Sequence, residues 1–541
     1  DCFTAPCKGG CPIHQDIPEY IELCRKGAYA SALRLITEKN PLPFITGTIC
    51  AHNCMTKCMR NYYDEPVNIR ATKLVAAEKG YDAYMSKITP PAPVTDGRKV
   101  AVIGGGPTGM SAAYFVGRAG IPVTLFEKAD RLGGIVRQVI PAFRISDEAI
   151  DKDVALIEKM GVEVKLNTEA PSVAELKAQG YTHIFFAVGA WKAGRLDIPG
   201  NVVPVIGWLR DMKAGKDVSL GHVAVVGGGN TAMDALRAGA KSSTLVYRRT
   251  KKYMPADAEE LEMAIADGVE FLELVAPVEQ KDGKLICEKM KLGDPDDKGR
   301  RKPVPTGEMV EIPCDTVVSA VGEKVESEVF TRNGITVDEK GIPAFKTNLE
   351  GVYAGGDAMR GPATVVEGIA DAQYFANAVI GEAHKFAIPA KAVATREEAV
   401  AKKGVLCESA KCEGDRCLTC NVVCQVCADV CPNRANVVIE LPDGRQQILH
   451  VDRMCNECGN CAVFCPYDSA PYREKFTLFL TREGFDESVN NQGFLPLGGK
   501  KVLVRLDSKV FEADLDAKND LPADIEVFIW TVLTKYAYLM G

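Results

Sequence analysis

The sequence predicts an α/β protein: two Rossmann-like domains set between a helical, cysteine-rich N-terminal segment and a second cysteine-rich segment near the C-terminus. Three observations predict it. A short apolar run breaks into glycines and resumes as a small-residue helix twice, at 99–113 (KVAVIGGGPTGMSAA) and at 223–234 (VAVVGGGNTAMD). The twenty cysteines gather at the ends, seven from Cys2 to Cys58 and eleven from Cys407 to Cys465, with only Cys287 and Cys314 between. The length of 541 residues allows roughly three to four domains, each with its own core.

In the first turn, Gly104, Gly106 and Gly109 form G-x-G-x-x-G directly after a predicted strand. That spacing permits a tight turn, close approach of backbone to a pyrophosphate and packing of helix on strand. The following helix N-terminus offers free N–H groups and partial positive charge to phosphate. A second strand, Val123 to Glu127, ends in an acid where a ribose-hydroxyl partner belongs, and Gly133-Gly134 lets the chain pass close to the ligand.

The second turn reads Gly227, Gly229, Ala232, with Asn230 and Thr231 opening its helix. Its next strand runs into Arg248 and Arg249, where an NAD-specific fold carries an acid. Guanidinium groups pair bidentately with a 2′-phosphate, so this half is expected to select NADPH. The alternative is a solvated strand end. Thr316 to Gly322 (TVVSAVG) and Gly351 to Asp357 (GVYAGGD) are apolar strands ending in glycine and are expected to return to the first fold. Asp357, followed by a small, apolar helix, matches the second FAD fingerprint of two-dinucleotide flavoproteins. The expected plan is an FAD domain in two parts, 98–205 and 316–387, interrupted by an NADPH domain at 206–315. Hydride transfer between stacked cofactors needs no side-chain acid or base, so no catalytic residue is expected.

The N-terminal segment, 1–87, shows helical spacing at Ile17 to Leu35 and Ile69 to Met85. Its cysteines form two groups, Cys2, Cys7 and Cys11, then Cys50, Cys54 and Cys58. Beside a nucleotide-binding core of cytosolic type, such density indicates metal or cluster ligation rather than disulfides. Structural zinc is the alternative, and Cys24 reads as a core thiol. A proline-rich linker (88–97) and an alanine- and lysine-rich connector (387–403) bound the core.

At 404–475 the run Cys455-x2-Cys458-x2-Cys461-x3-Cys465-Pro466 has bacterial ferredoxin spacing, in which the fourth cysteine of each run serves the other cluster. An irregular first run precedes it. The expected sets are Cys417, Cys420, Cys427 and Cys465 for one cluster, and Cys455, Cys458, Cys461 and Cys431 for the other. Cys424 stays open as a replacement for Cys417 or Cys420, Cys407 and Cys412 as parts of an extra site, and a zinc ribbon as the alternative for the region. The tail, 476–541, reads as strands and then a helix with Ile525, Phe528, Ile529, Val532, Tyr536 and Leu539 on one side. That face is expected to dock on the chain's own core or, if exposed, to form a subunit interface.

The runs CFTAPCKGGCPIHQDIPEYI, NPLPFITGTICAHNC and EPVNI resemble the N-terminal iron-sulfur domain of the glutamate synthase small subunit and of dihydropyrimidine dehydrogenase, and IPAFR at 140–144 resembles the same family. The resemblance implies two [4Fe-4S] clusters in a helical fold. One would use Cys2, Cys7, Cys58 and a cysteine upstream of Asp1; the other would use Cys11, Cys50 and Cys54. The glutamine that completes the latter in the pyrimidine enzyme falls on Lys73, and an ammonium cannot be a ligand. The stretch CLTCNVVCQVCADVCPNRANVVIE, with GFLPLGGKKVLV and ADIEVFIWTVLTKYAYL, resembles the C-terminal half of the YgfK-type iron-sulfur flavoproteins. That family is associated with purine-catabolising molybdenum hydroxylases and with selenate reduction. A start at Asp1 without methionine fits a processed form or a piece of a longer chain.

A net charge of −7 and a pI near 5.7 argue against a nucleic-acid partner. No apolar run approaches the roughly 20 residues of a membrane span, and no signal peptide is visible, so a soluble cytoplasmic protein is expected. The resulting order is helical iron-sulfur domain, FAD, NADPH, FAD, two-cluster ferredoxin-like domain. It predicts an NADPH-dependent FAD and iron-sulfur oxidoreductase with two [4Fe-4S] clusters at each end. Electrons would leave to a partner subunit or a missing N-terminal domain in a hetero-oligomer. The rivals are reverse or bifurcating electron transfer that makes NADPH, and a non-enzymatic assembly scaffold on a flavoprotein fold.

Overall fold

The structure, a computed structural model, describes residues 4–216, 221–238, 240–295, 301–381, 394–407, 412–422, 424–488 and 491–541. Cys2 and part of the 387–403 connector lie outside them. The first nucleotide-binding sheet grows from Val100–Ile103, a strand buried along its whole length, as a fully covered parallel strand must be. Its five strands are all parallel, in the order Val352–Ala354, His183–Phe186, Val100–Ile103, Val123–Phe126, Glu163–Lys165. The helix Pro107–Arg118 packs against Val365–Ile380 over this sheet, so residues from both expected parts of the first domain share one core.

The second sheet is also parallel, in the order Val202–Pro204, Thr316–Ser319, His222–Val226, Ser242–Tyr247, Glu270–Glu273. Here one expectation is corrected. Thr316–Ser319 does not open the second part of the FAD domain; Val317 is in register with Ala224 and Val202, between two strands of the second sheet. The boundaries at 206 and 315 therefore exclude two of that sheet's strands. A four-residue apolar strand ending near glycine suits the middle of either sheet. What assigns it is the antiparallel meander Val275–Lys281, Lys284–Pro295, Arg301–Pro313, which carries the chain from one edge of the second sheet back to its interior, between Val202–Pro204 and His222–Val226.

The N-terminal helices Ile17–Arg25, Tyr29–Thr37 and Ile69–Met85 form a small core around Tyr20, Ile21 and Ile36, and helix Pro43–Ile49 packs Phe44 on Leu33 and Ala77 and Ile45 into the core of the first sheet's domain. The segment is fastened to the first sheet's domain by a buried carboxylate. Asp153 accepts the backbone N–H groups of Phe44 (3.1 Å) and Ile45 (2.8 Å), at the positive end of helix Pro43–Ile49.

At the other end, Asn436–Glu440 and Gln446–Val451 form a hairpin between the two cysteine runs and continue into a six-stranded sheet. Helix Ala523–Lys535 lays Phe528, Ile529 and Val532 into this sheet's core, so its apolar face is docked within the chain. Among the described residues no helix is long and apolar enough to cross a membrane.

Candidate functional site

A cavity of about 490 Å³ opens at the C-terminal ends of the first sheet's strands and reaches the second domain. Gly104, Gly106, Glu127, Gly134 and Asp357 line it from one side, Asn230, Thr231 and Asp234 from the other. Gly104 has φ +103°, and a Cβ there would stand 2.4 Å from the carbonyl oxygen of Ala187. A Cβ on Gly109 would stand 1.8 Å from the carbonyl oxygen of Gly104, so glycine permits this helix to meet its strand. Gly106 then caps helix Pro107–Arg118, whose first N–H groups have no side-chain cap.

Glu127 is buried at the end of its strand, where its carboxylate accepts from Gly105 N (2.6 Å) and Ala129 N (2.7 Å). Asp357 accepts from Ala363 N at 3.0 Å. Burial, with the carboxylates of Glu323, Glu367 and Asp371 nearby, pushes the Asp357 carboxyl up to about 7. A bare helix N-terminus, a glycine cradle and a half-buried acid fit a flavin dinucleotide: the first suits the pyrophosphate, the last a polyol hydroxyl.

In the second domain Gly227 lies in the turn after His222–Val226, and Gly229 caps helix Asn230–Leu236. Asn230 Oδ1 accepts from Asp257 N at 2.9 Å. Arg248 is exposed just beyond Ser242–Tyr247, and Arg249 is half-buried with its Nε enclosed and without a hydrogen-bond partner among the described residues. An enclosed guanidinium donor without an acceptor fits the 2′-phosphate of NADPH.

A residue set that sequence reasoning missed joins the two domains. Arg144 Nη1 donates to Asp234 Oδ1 (2.5 Å), and Nη2 forms an ion pair with Glu260 Oε1 (2.8 Å), with all three side chains largely buried. Burial pushes Asp234 up to about 6, Glu260 adding to the rise and Arg144 opposing it. The signals were on the page, Arg144 in IPAFR and Asp234 in GGGNTAMD, but nothing in their spacing pairs them.

The thiols gather in three places. Cys11, Cys50 and Cys54 act on one another, and buried Lys73 faces Cys11 and Cys54. Burial pushes Cys54 up to about 12, with Cys11 and Cys50 adding and Lys73 opposing. Thiolates in such surroundings need positive charge, which iron supplies as ligand acceptor and Lys73 as neighbour. Cys431, Cys455, Cys458 and Cys461 surround a second gap beside His450. Cys7 and Cys58 surround a third together with Cys417 and Cys420.

The structure places Cys417 and Cys420 apart from Cys427, with which the sequence groups them. Their loop folds onto the N-terminal helices, whereas Cys427 packs beside Cys461 against Ile448. Cys424 is buried next to Cys420, and Cys465 is half-buried. Half-buried Cys24 lies near Cys412, and Cys407 N donates to Asp64 Oδ2 at 3.2 Å. Among the described residues no three His, Cys, Asp or Glu side chains converge as one metal ion requires.

Two parallel nucleotide-binding sheets sharing a cavity, with ringed thiols at both ends, define an oxidoreductase of the flavin, nicotinamide-nucleotide and iron-sulfur class. The chain belongs to the pyridine nucleotide-disulphide oxidoreductase family, which matches residues 98–372. Residues 1–83 match dihydropyrimidine dehydrogenase domain II, a 4Fe-4S cluster domain. YgfK of Escherichia coli (strain K12), named as an oxidoreductase, is 41% identical over 100% of the chain and 56% of its own length. The chain thus spans little more than half of that relative. The NADPH-Fe(3+) oxidoreductase subunit beta of Geobacter sulfurreducens is 36% identical over 72% of the chain and 63% of the relative. The glutamate synthase [NADPH] small chain of Halomonas elongata is 32% identical over 68% of the chain and 86% of the relative.

Proposed function

We propose that the chain is an NADPH-oxidising module that delivers electrons singly, through iron-sulfur clusters at both ends, to an acceptor on a partner subunit or elsewhere in a longer protein. One observation carries the proposal. Cys50 lies between Ile49 and Ala51, which both line the dinucleotide cavity, and Cys11, Ile49 and Cys50 pack on the core of the first nucleotide-binding domain. Cys50 and Cys11 therefore lie directly behind the wall of the flavin-type site, with Cys54 beside them.

When bound, FAD and NADPH supply hydride chemistry and the clusters supply one-electron transfer. The protein's part is placement and charge. The turn at Gly104 to Gly109 and Asp357 would hold FAD; Gly227, Gly229, Asn230, Thr231 and the Arg248-Arg249 pair would hold NADPH. Asp153 fixes the cysteine-bearing helix against the same domain, and Lys73 offsets thiolate charge. The relatives named as a β subunit and a small chain support a partner subunit as acceptor.

The test is an anaerobic titration of cluster-intact protein with NADPH and, separately, NADH, following flavin bleaching and the paramagnetic signals of reduced clusters. Bleaching and cluster reduction at low NADPH, with little effect of NADH, is expected. A purified protein without flavin, or flavin that neither nucleotide bleaches, overturns the proposal and favours a scaffold.

A further inference from the structure

Arg70, in the first turn of helix Ile69–Met85, reaches in two directions. Its Nη1 donates to the carbonyl oxygen of Cys50 at 3.4 Å and lies 3.2 Å from His52 Nδ1. Its Nη2 donates to both carboxylate oxygens of Glu259, at 3.2 and 2.9 Å. Glu259 stands in the first turn of helix Ala258–Ala266, in the second nucleotide-binding domain. The chain entering that helix is held to the nucleotide turn: Ala256 N donates to Gly228 O at 3.0 Å, and Asp257 N to Asn230 Oδ1 at 2.9 Å. The neighbouring Glu260 is the residue paired with Arg144 of the first domain. The Cys50 turn has a restricted geometry of its own, since His52 has φ +42°, a region that few residues other than glycine enter. Such a conformation persists where its surroundings over-determine it, and Arg70 contacts the turn on both sides of Ala51.

We infer that Arg70 is a positioning residue for the thiols Cys11, Cys50 and Cys54: it fixes the Cys50 turn behind the flavin-type cavity, and its charge, offset by Glu259, sets how readily the cluster there accepts an electron. An electron taken from the reduced flavin adds one negative charge among the thiolates. A guanidinium beside Cys50 favours that reduced form and raises the potential; the carboxylate behind it, one side chain farther from the thiol, opposes by less. The pair's role is not stability, because Glu259 is exposed and exposed ion pairs contribute little. What the planar guanidinium supplies is geometry, with one nitrogen committed to the cysteine turn and the other to the nucleotide-binding domain. The electrostatic surroundings of Cys50 therefore depend on the seating of that domain, because Glu259 is carried with the turn at Gly228 and Asn230.

The inference rests on the reading of these three thiols as cluster ligands, and its test separates the two. In the intact protein, the low-temperature paramagnetic signal that C50S and C54S lose identifies the cluster. Its midpoint potential is then read by redox titration in wild type, R70M, R70K, E259Q and E262Q, with iron and flavin content as checks on assembly. R70M is expected to lower the potential and E259Q to raise it by less. R70K, which keeps the charge and loses the fork, should fall between wild type and R70M. E262Q, on the same helix but paired with Lys251, should leave the potential unchanged. An unchanged potential in both R70M and E259Q, shifts of the same sign, or an E262Q shift as large as that of E259Q overturns the inference. Should R70M assemble without iron, the sign of the E259Q shift decides. If neither C50S nor C54S loses iron or a signal, the reading of the thiols as ligands falls instead.

Discussion

Arg144 and Asp234 meet at 2.5 Å across the boundary between the two nucleotide-binding domains, Arg144 from a loop of the first and Asp234 from the opening helix of the second. With Glu260 on the second guanidinium nitrogen, the pair forms a buried clamp at the wall of the shared cavity. Removing the guanidinium leaves two buried carboxylates uncompensated. R144A is expected to lose about 3 kcal/mol of stability and to slow NADPH-driven flavin bleaching. Thermal unfolding and stopped-flow absorbance check it, and an unchanged melting temperature would refute the clamp.

Arg249 supplies an enclosed donor with no acceptor among the described residues. If it meets the 2′-phosphate, R249A forfeits a charged hydrogen bond worth about 1.5–3 kcal/mol. The ratio of kcat/KM for NADPH to that for NADH should fall at least tenfold, with the NADH value little changed. Equal losses with both nucleotides would assign Arg249 to structure instead.

Asp357 ties flavin binding to pH. Its carboxyl holds a proton up to about pH 7 in the fold, against about 4 in an unfolded chain. Its contribution to stability is full below pH 4 and is lost as pH rises through 7. A hydroxyl donating to the ionised carboxylate lowers that pKa, so binding of FAD should release a proton. The affinity of flavin-stripped protein for FAD is then expected to rise with pH up to about 7, by up to tenfold per unit, and to level off above it. D357N should bind FAD with a flat profile over this range; a sloped one in the variant would move the effect elsewhere.

Lys73 is a buried cation beside Cys11 and Cys54. A unit charge at this range in a partly buried setting shifts a neighbouring one-electron potential by on the order of 100 mV. K73M is expected to lower the potential of one cluster and leave its iron content intact. Loss of iron in K73M would show that Lys73 holds the site together rather than tuning it.

Both dinucleotide turns were legible in the sequence because their information is local. Gly104 and Gly109 are required by backbone contacts within the strand-turn-helix unit and the strand beside it, so the spacing of glycines carries the signal. The apolar face of helix Ala523–Lys535 was legible for the same reason, since helical periodicity is written in consecutive residues. Thr316–Ser319 was not. Four buried apolar residues fit either parallel sheet, and only the meander that returns the chain beside Val223–Val226 makes the choice.

The sequence by itself determined two nucleotide-binding turns in one chain, an acid after the first and two arginines after the second, and thiols massed at both ends. The tertiary structure alone decided which thiols share a gap, which domain owns Thr316–Ser319, and that Arg144 reaches Asp234. The physical reason is separation along the chain. A glycine turn or an apolar helix face is enforced by sterics among near neighbours, whereas the contact of Glu413 with Asn68 joins residues 345 positions apart. Such a contact leaves no spacing to read; it exists only once the intervening domains have folded and brought the two ends together.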